Sequence, residues 1–235
     1  MKLGFKISIL FLVITLTSSC QSTNTNGKST NETAKKEYVN TSGITSNTPE
    51  KYLPKKEKLS RAYFASGCFW CVEAVYESVK GVEESVSGYS GGHTENPTYE
   101  SSNTGTTGHA EAVEIFYDAS VVNFETLVDV YFGSQNITQV NGQGNDRGSQ
   151  YRSIIFYQND EEKAIIDKKV AALNKELAPE KVAAEVMEFQ MFWVAEDYHQ
   201  NFERLNPNHG YIRAVSIPRL KRFQAKFPEL IKENH

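Results

Sequence analysis

Cysteine is scarce in this chain, with three in 235 residues, at positions 20, 68 and 71. With Cys20 set aside as part of a targeting segment, no disulfide framework is available and the folded part must be held by an apolar core. The remaining pair therefore calls for a chemical explanation. A surplus of basic charge is also missing: Lys and Arg number 25 against 29 Asp and Glu, for a net charge of −4. Both signs are interspersed without a basic stripe, which excludes nucleic acid as a partner. No apolar run is long enough to span a bilayer, since the longest, Ile7 to Leu16, has roughly ten residues. No H-x3-5-H spacing occurs among His93, His109, His199, His209 and His235, and no internal repeat is evident.

The short apolar run still carries information. Lys2 and Lys6 precede it, and a basic start followed by an apolar stretch of that length reads as a secretion signal. Leu16-Thr17-Ser18-Ser19-Cys20 follows and resembles the lipobox of bacterial lipoproteins, with Thr17 where Leu is usual. Residues 1–20 are thus expected to be a lipoprotein signal peptide ending at an acylated Cys20. Ordinary cleavage near Ser18 or Ser19 is the alternative. Residues 21–58, rich in Ser, Thr, Asn and Lys, cannot bury enough surface to offset chain ordering and are expected to be a disordered tether. An exported domain held on the outer side of a bacterial membrane by lipid alone is the implied arrangement.

Residues 59–230 read as the folded domain. Ala62–Ala65 is a short apolar strand, Ser66-Gly67 a turn, and Cys71 to Val79 a helix ended by Gly81. Val82–Tyr89 and Ala110–Tyr117 read as strands, separated by a loop from His93 to Gly108 that is long for a compact domain and so suggests function. Asn123 is placed to cap a helix with Phe124, Leu127, Val128, Tyr131 and Phe132 on one face. A second long loop, Ser134 to Gly148, leads into a strand over Tyr151–Tyr157, and Asn159 caps a helix over Glu161–Leu177. Val182–Val194 reads as one extended element, Glu196–Leu205 as a helix and Pro218–Phe227 as a last surface helix. This order predicts an α+β fold, a mixed-sheet sandwich with helices over one face and a ferredoxin-like βαββαβ core.

Gly67-Cys68-Phe69-Trp70-Cys71 sets two thiols three residues apart where a turn enters a helix. Free amides at a helix N-terminus favour a thiolate, so Cys68 is expected to be the activated sulfur. Residues at i and i+3 of a helix lie roughly 5–6 Å apart, within the reach of a disulfide. The motif alone leaves other readings open. Zinc would need two further ligands, and the domain has no other cysteine. A thioredoxin-like disulfide oxidoreductase also uses C-x-x-C. A purely structural disulfide would close too small a loop to stabilise much.

The chain resembles the peptide methionine sulfoxide reductase A family in seven ordered stretches. These are Gly67-Cys68-Phe69-Trp70, Gly88-Tyr89-Ser90-Gly91-Gly92, Asn96-Pro97-Thr98-Tyr99, Gly108-His109-Ala110-Glu111-Ala112-Val113, Gln143-Gly144-Asn145-Asp146-Arg147-Gly148, Gln150-Tyr151-Arg152-Ser153 and Glu196-Asp197-Tyr198-His199-Gln200. The resemblance implies reduction of the S epimer of methionine sulfoxide, free or in proteins, by a monomer without metal or organic cofactor. A thioredoxin-like dithiol would recycle it. Cys68 would attack the sulfoxide sulfur, Glu111 would act as general acid, Tyr99 and Tyr151 would donate hydrogen bonds to the oxygen, and Asp146 would support the site. Phe69 and Trp70 would wall the substrate methyl group.

Cys71 would then resolve a sulfenic acid on Cys68 as a disulfide, being the other thiol of the domain. Many family members carry Gly at this position and resolve from a loop or tail. The present tail has no cysteine. Two smaller departures are Ser66, where Gly is common, and Gln135-Asn136-Ile137-Thr138, where His-Asp-Pro-Thr is usual. A non-catalytic sulfoxide-binding module with its cysteines locked together is the rival from another class.

Overall fold

The computed structural model describes residues 38–39 and 45–233. The expected signal peptide, Cys20 and most of the expected tether lie outside them. In chain order the strands are β1 (Tyr38–Val39), β2 (Thr45–Ser46), β3 (Ser60–Ala65), β4 (Val82–Ser90), β5 (Ala110–Tyr117), β6 (Gly142–Gln143), β7 (Asp146–Arg147), β8 (Ile154–Tyr157), β9 (Glu185–Glu188) and β10 (Met191–Val194). The helices are α1 (Phe69–Glu77), α2 (Tyr99–Asn103), α3 (Phe124–Gly133), α4 (Asp160–Leu177), α5 (Phe202–Leu205) and α6 (Ile217–Lys226).

Eight strands form one sheet in the order β1-β2-β10-β4-β5-β3-β8-β9, and β6 and β7 make a separate hairpin. The β10–β2 and β8–β9 pairs are parallel and the other pairs antiparallel, so the sheet is mixed. Its chemistry follows the two-residue period of a strand. Along β3, Ala62 and Phe64 point into a core shared with Val72, Val75 and Tyr76 of α1 and with Leu127, Val128 and Tyr131 of α3. Tyr63 and Ala65 point the other way, into a second core with Phe116, Phe156, Phe189 and Phe192. Both faces of the central strands are therefore dry, and every residue of β5 is buried.

The second core exists because the sheet curls. The single extended element expected over Val182–Val194 is in fact two strands that pair at separate places in the sheet, β9 beside β8 and β10 beside β4. Only Phe189 and Gln190 join them, so the two regions must approach one another. Phe189 fills the fold, its ring stacked 3.6 Å from that of Tyr63.

Other expectations need correction. Part of the stretch read as tether is structured: β2 pairs with β10, and buried Ser46 and Thr48 donate to Glu114 Oε2 at 3.0 and 2.5 Å. Small hydroxyl residues look solvated in composition, but here each meets a buried acceptor that the sequence does not reveal. Glu196–Leu205 is a short 3-10 turn and α5, not one helix, because Asn201 adopts φ +55° between them. Tyr151 belongs to a 3-10 turn ahead of β8. α6 is more than a surface helix, since Arg219 and Phe223 on it are buried. Asn123 and Asn159 cap α3 and α4 as expected, each accepting a backbone N–H with its side chain.

Candidate active site

Gly67 turns the chain from β3 into α1 at φ +72°, and a β-carbon there would stand 2.6 Å from Cβ of Gln143. Only glycine tolerates both the conformation and the approach. Cys68 follows as the N-cap residue, its carbonyl accepting from the Cys71 and Val72 amides at 3.1 and 3.4 Å. Cys68 and Cys71 are free thiols, 7% and 2% exposed, and Cys68 opens onto a cavity of about 240 Å³. Phe69, Trp70, Tyr99, Glu111, Asp146, Tyr151, His209 and Tyr211 line it together with Cys68. A space of this size suits one side chain better than a larger ligand.

Thus Cys68, Phe69, Trp70, Tyr99, Glu111, Asp146 and Tyr151, separated by up to 83 positions in the chain, share one cavity. Different elements deliver them. Central β5 carries Glu111 into the dry interior. The Glu111 side chain accepts the free N-terminal amide of α1, from Phe69 N at 3.0 Å. Burial outweighs that bond and pushes the carboxyl up to about 8, with the charge of Asp146 adding to the shift. At neutral pH Glu111 therefore holds a proton inside the cavity.

Tyr99 begins α2, a helix the sequence reading placed within a loop. Thr98 caps it through a reciprocal pair of bonds with Ser101. Glu196 pins its start, accepting Tyr99 N at 2.9 Å and the Tyr89 hydroxyl at 2.9 Å. Burial pushes the Tyr99 and Tyr151 hydroxyls up, so both remain proton donors. Tyr151 OH lies 3.5 Å from Asn103 Oδ1, which ties the two long loops together. Asp146 sits on the β6–β7 hairpin and accepts from Tyr211 OH at 2.6 Å.

The sulfurs depart from expectation. The α1 amide that was to stabilise a Cys68 thiolate is occupied by Glu111. Burial pushes the Cys68 thiol well up, and its bond to Cys71 and the nearby Glu111 act in the same direction. The same bond from Cys68 holds Cys71 down to about 6 against burial, helped by Arg219, Ser216 and Tyr211. The two thiols are thus shifted in opposite directions, Cys68 up and Cys71 down.

Several residues of the site had no assigned role in the sequence. Tyr211 OH lies 3.7 Å from Cys71 Sγ while it donates to Asp146. His199, inside a recognised motif, is buried and held neutral, its pKa lowered by burial to about 4. Its Nδ1 accepts from Trp70 Nε1 at 3.1 Å, which sets the indole wall, and Phe202 stacks on that indole with centroids 3.8 Å apart. Arg219 reaches beneath the turn from α6 to the oxygens of Ser66 and Ser134. Among the described residues, no group of three or more His, Cys, Asp or Glu side chains is placed to hold a metal ion.

Comparison with known proteins identifies the family. The family model for peptide methionine sulfoxide reductase matches residues 60–231. A peptide methionine sulfoxide reductase MsrA of Pasteurella multocida is 49% identical over 172 residues, covering 73% of this chain and 98% of that protein. The MsrA of Saccharolobus solfataricus is 44% identical over 171 residues, covering 73% and 96%. Among solved structures, methionine sulfoxide reductase A of Corynebacterium diphtheriae superposes with a TM-score of 0.61 at 30% identity, over 67% of this chain and 79% of that one. Reduced Mxr1 of Saccharomyces cerevisiae gives 0.62 at 26% identity, over 70% and 93%. With a family model matching residues 60–231 and relatives matched over nearly their full length, this chain belongs to the peptide methionine sulfoxide reductase A family.

Proposed function

We propose that the chain reduces the S epimer of methionine sulfoxide, free or in proteins, with Cys68 as nucleophile, Cys71 as resolving thiol and Glu111 as general acid. The carrying observation is the conjunction, in one small cavity, of the free Cys68 thiol and a carboxyl whose burial holds it protonated at neutral pH, with the free Cys71 thiol one helical turn behind. A sulfoxide oxygen leaves only if it is protonated as sulfur is attacked, which requires an acid and a sulfur nucleophile together.

In this scheme Cys68 passes its proton to the Cys71 thiolate and bonds to the substrate sulfur. Glu111 protonates the oxygen, with Tyr99 and Tyr151 as donors beside it. The oxygen transfers to Cys68, which is oxidised by two electrons to a sulfenic acid, and methionine leaves. Cys71 then bonds to Cys68 Sγ, the S–O bond breaks, and the Cys71 proton departs with the hydroxyl as water. Asp146 anchors Tyr211 against the sulfurs, and Phe69 and Trp70 receive the methyl group. An outside dithiol of the thioredoxin type must reopen the disulfide by thiol exchange.

The finer fold reading belongs here too: within the sheet, the order β4-β5-β3-β8, with all neighbours antiparallel, supports a ferredoxin-like βαββαβ core. The proposal also includes a monomeric catalytic domain, a signal peptide over residues 1–20 and a lipid on Cys20 that anchors the enzyme outside a bacterial membrane. Mass spectrometry of the mature N-terminus tests that anchor, and an unacylated product cleaved before or after Cys20 refutes it.

The reaction is tested by incubating the protein with dithiothreitol and each sulfoxide epimer. Continuous methionine release from the S epimer alone is expected, and Cys71→Ser should stop after about one equivalent. Release from neither epimer favours a binding module. Insulin disulfide reduction without sulfoxide turnover favours a thioredoxin-like enzyme. Undiminished multiple turnover by Cys71→Ser removes the resolving role.

A further inference from the structure

Arg219 is 8% exposed, and its guanidinium is bound by oxygens that carry no formal charge. Nε donates to Ser134 O at 2.8 Å, Nη1 to Ser66 O at 2.9 Å and Nη2 to Ser66 Oγ at 2.8 Å. No Asp or Glu among the described residues forms an ion pair with it. A buried cation without an anion is costly, and neutral hydrogen bonds offset only part of the penalty. By contrast, the other buried or half-buried arginines of the fold, Arg61 and Arg152, meet Glu114 and Glu185 at 3.0 and 3.2 Å.

The anion that would complete the site is close at hand. Arg219 Nη1 lies under the Gly67 turn, 3.8 Å from where a β-carbon on that residue would stand, directly before Cys68. α1, which carries Cys71, packs against α6, which carries Arg219, and against the segment leading into it, where Tyr211 OH lies 3.7 Å from Cys71 Sγ. Glu111 of β5 and Asp146 of β7 stand across the cavity, and Glu203 is spent on a hydrogen bond from Ser216. Of these groups, only Arg219 carries positive charge. The departures from the family motif converge here as well: Ser66 Oγ, which accepts from Arg219, donates to Gln135 Oε1 at 2.8 Å.

We propose that Arg219 is a positioning residue for the reaction, its buried guanidinium serving as a counter-charge for a thiolate on Cys71. The inference rests on Cys71 being the resolving thiol. It explains why that thiol is ready at both steps: as a thiolate it accepts the Cys68 proton when substrate is attacked, and it readily loses that proton again when it bonds to the sulfenic sulfur. Once the disulfide forms the guanidinium has no anion, so reduction by an outside dithiol restores a stabilising pair.

The test is the pH dependence of Cys71 alkylation by iodoacetamide in Cys68→Ser protein, which leaves one thiol in the domain. Because Cys68→Ser also replaces the donor that lowers Cys71 most, the reading is the shift in midpoint between variants. Adding Arg219→Gln should raise the midpoint by about one unit or more, a roughly tenfold loss of reactivity at pH values below it, while Arg219→Lys should retain most of the depression. An unchanged midpoint in Arg219→Gln protein with native circular dichroism overturns the proposal, as does an equal rise in Arg219→Lys protein. Failure of the underlying reading is seen separately, as multiple turnover by Cys71→Ser, and does not alter the alkylation result.

Discussion

The opposite shifts of two buried groups predict how the chemical step responds to pH. The step needs the cysteine pair to carry one negative charge, which Cys71 acquires at about 6. It also needs Glu111 protonated, which persists up to about 8. As pH rises through the first value the rate should climb, and as it rises through the second the acid is lost and the rate should fall. Treating the groups as independent, about 80% of the enzyme is in the productive form at pH 7, and roughly a tenth at pH 5 or pH 9. The assay is single turnover: pre-reduced enzyme is mixed with excess methionine S-sulfoxide and the methionine formed is followed by quenched flow, so no external thiol titrates. Glu111→Gln should lose about 10²- to 10⁴-fold in rate and, with it, the alkaline limb, while the acid limb remains. A wild-type rate that stays level from pH 7 to 9.5, or an alkaline limb that persists in Glu111→Gln, would refute the assignment of Glu111 as a proton donor.

Further outcomes follow from the packing. Tyr99→Phe or Tyr151→Phe should each lower kcat by up to roughly a hundredfold with little change in KM, because the donors act on charge developing at oxygen; a change confined to KM would place them in substrate binding alone. Glu114 is fully buried and accepts from Arg61, Tyr63, Ser46 and Thr48, so Glu114→Ala should cost about 3–5 kcal/mol in urea unfolding by removing the acceptor that these four buried or half-buried donors share. A loss below about 1 kcal/mol would contradict the importance of that cluster. Asn123→Ala should destabilise by about 1 kcal/mol through loss of the α3 cap without changing turnover per folded molecule.

The parts of this protein legible in its sequence are those whose physics is local. Asn123 and Asn159 announce their helices because a cap acts three residues away. The apolar strands from Ser60 to Tyr117 announce themselves by periodicity, and the C-x-x-C pair by spacing. The cavity residues became legible through motif resemblance, not through periodicity. What escaped depends on contacts distant in sequence. Arg219 reads as one more cation on a polar helix until the Ser66 turn, 153 positions earlier, is laid over it. Ser46 and Thr48 read as linker until Glu114 supplies their acceptor. The surroundings of the thiol pair escaped for a related reason. A helix N-terminus favours a thiolate only if its amides are free, and Glu111 on a different element occupies the one at Phe69.

The central claim is that oxygen is taken by one sulfur and the oxidation is completed by its neighbour one helical turn away. Trypsin cuts after Arg61 and Lys80 and releases both cysteines in a single peptide, so mass spectrometry after one turnover without reductant measures it directly. The account predicts that this peptide loses two hydrogens for each methionine formed, and that in Cys71→Ser protein the same peptide instead carries a dimedone-reactive sulfenic acid on Cys68. Methionine formed in stoichiometric amount while both thiols remain free to alkylate would contradict it.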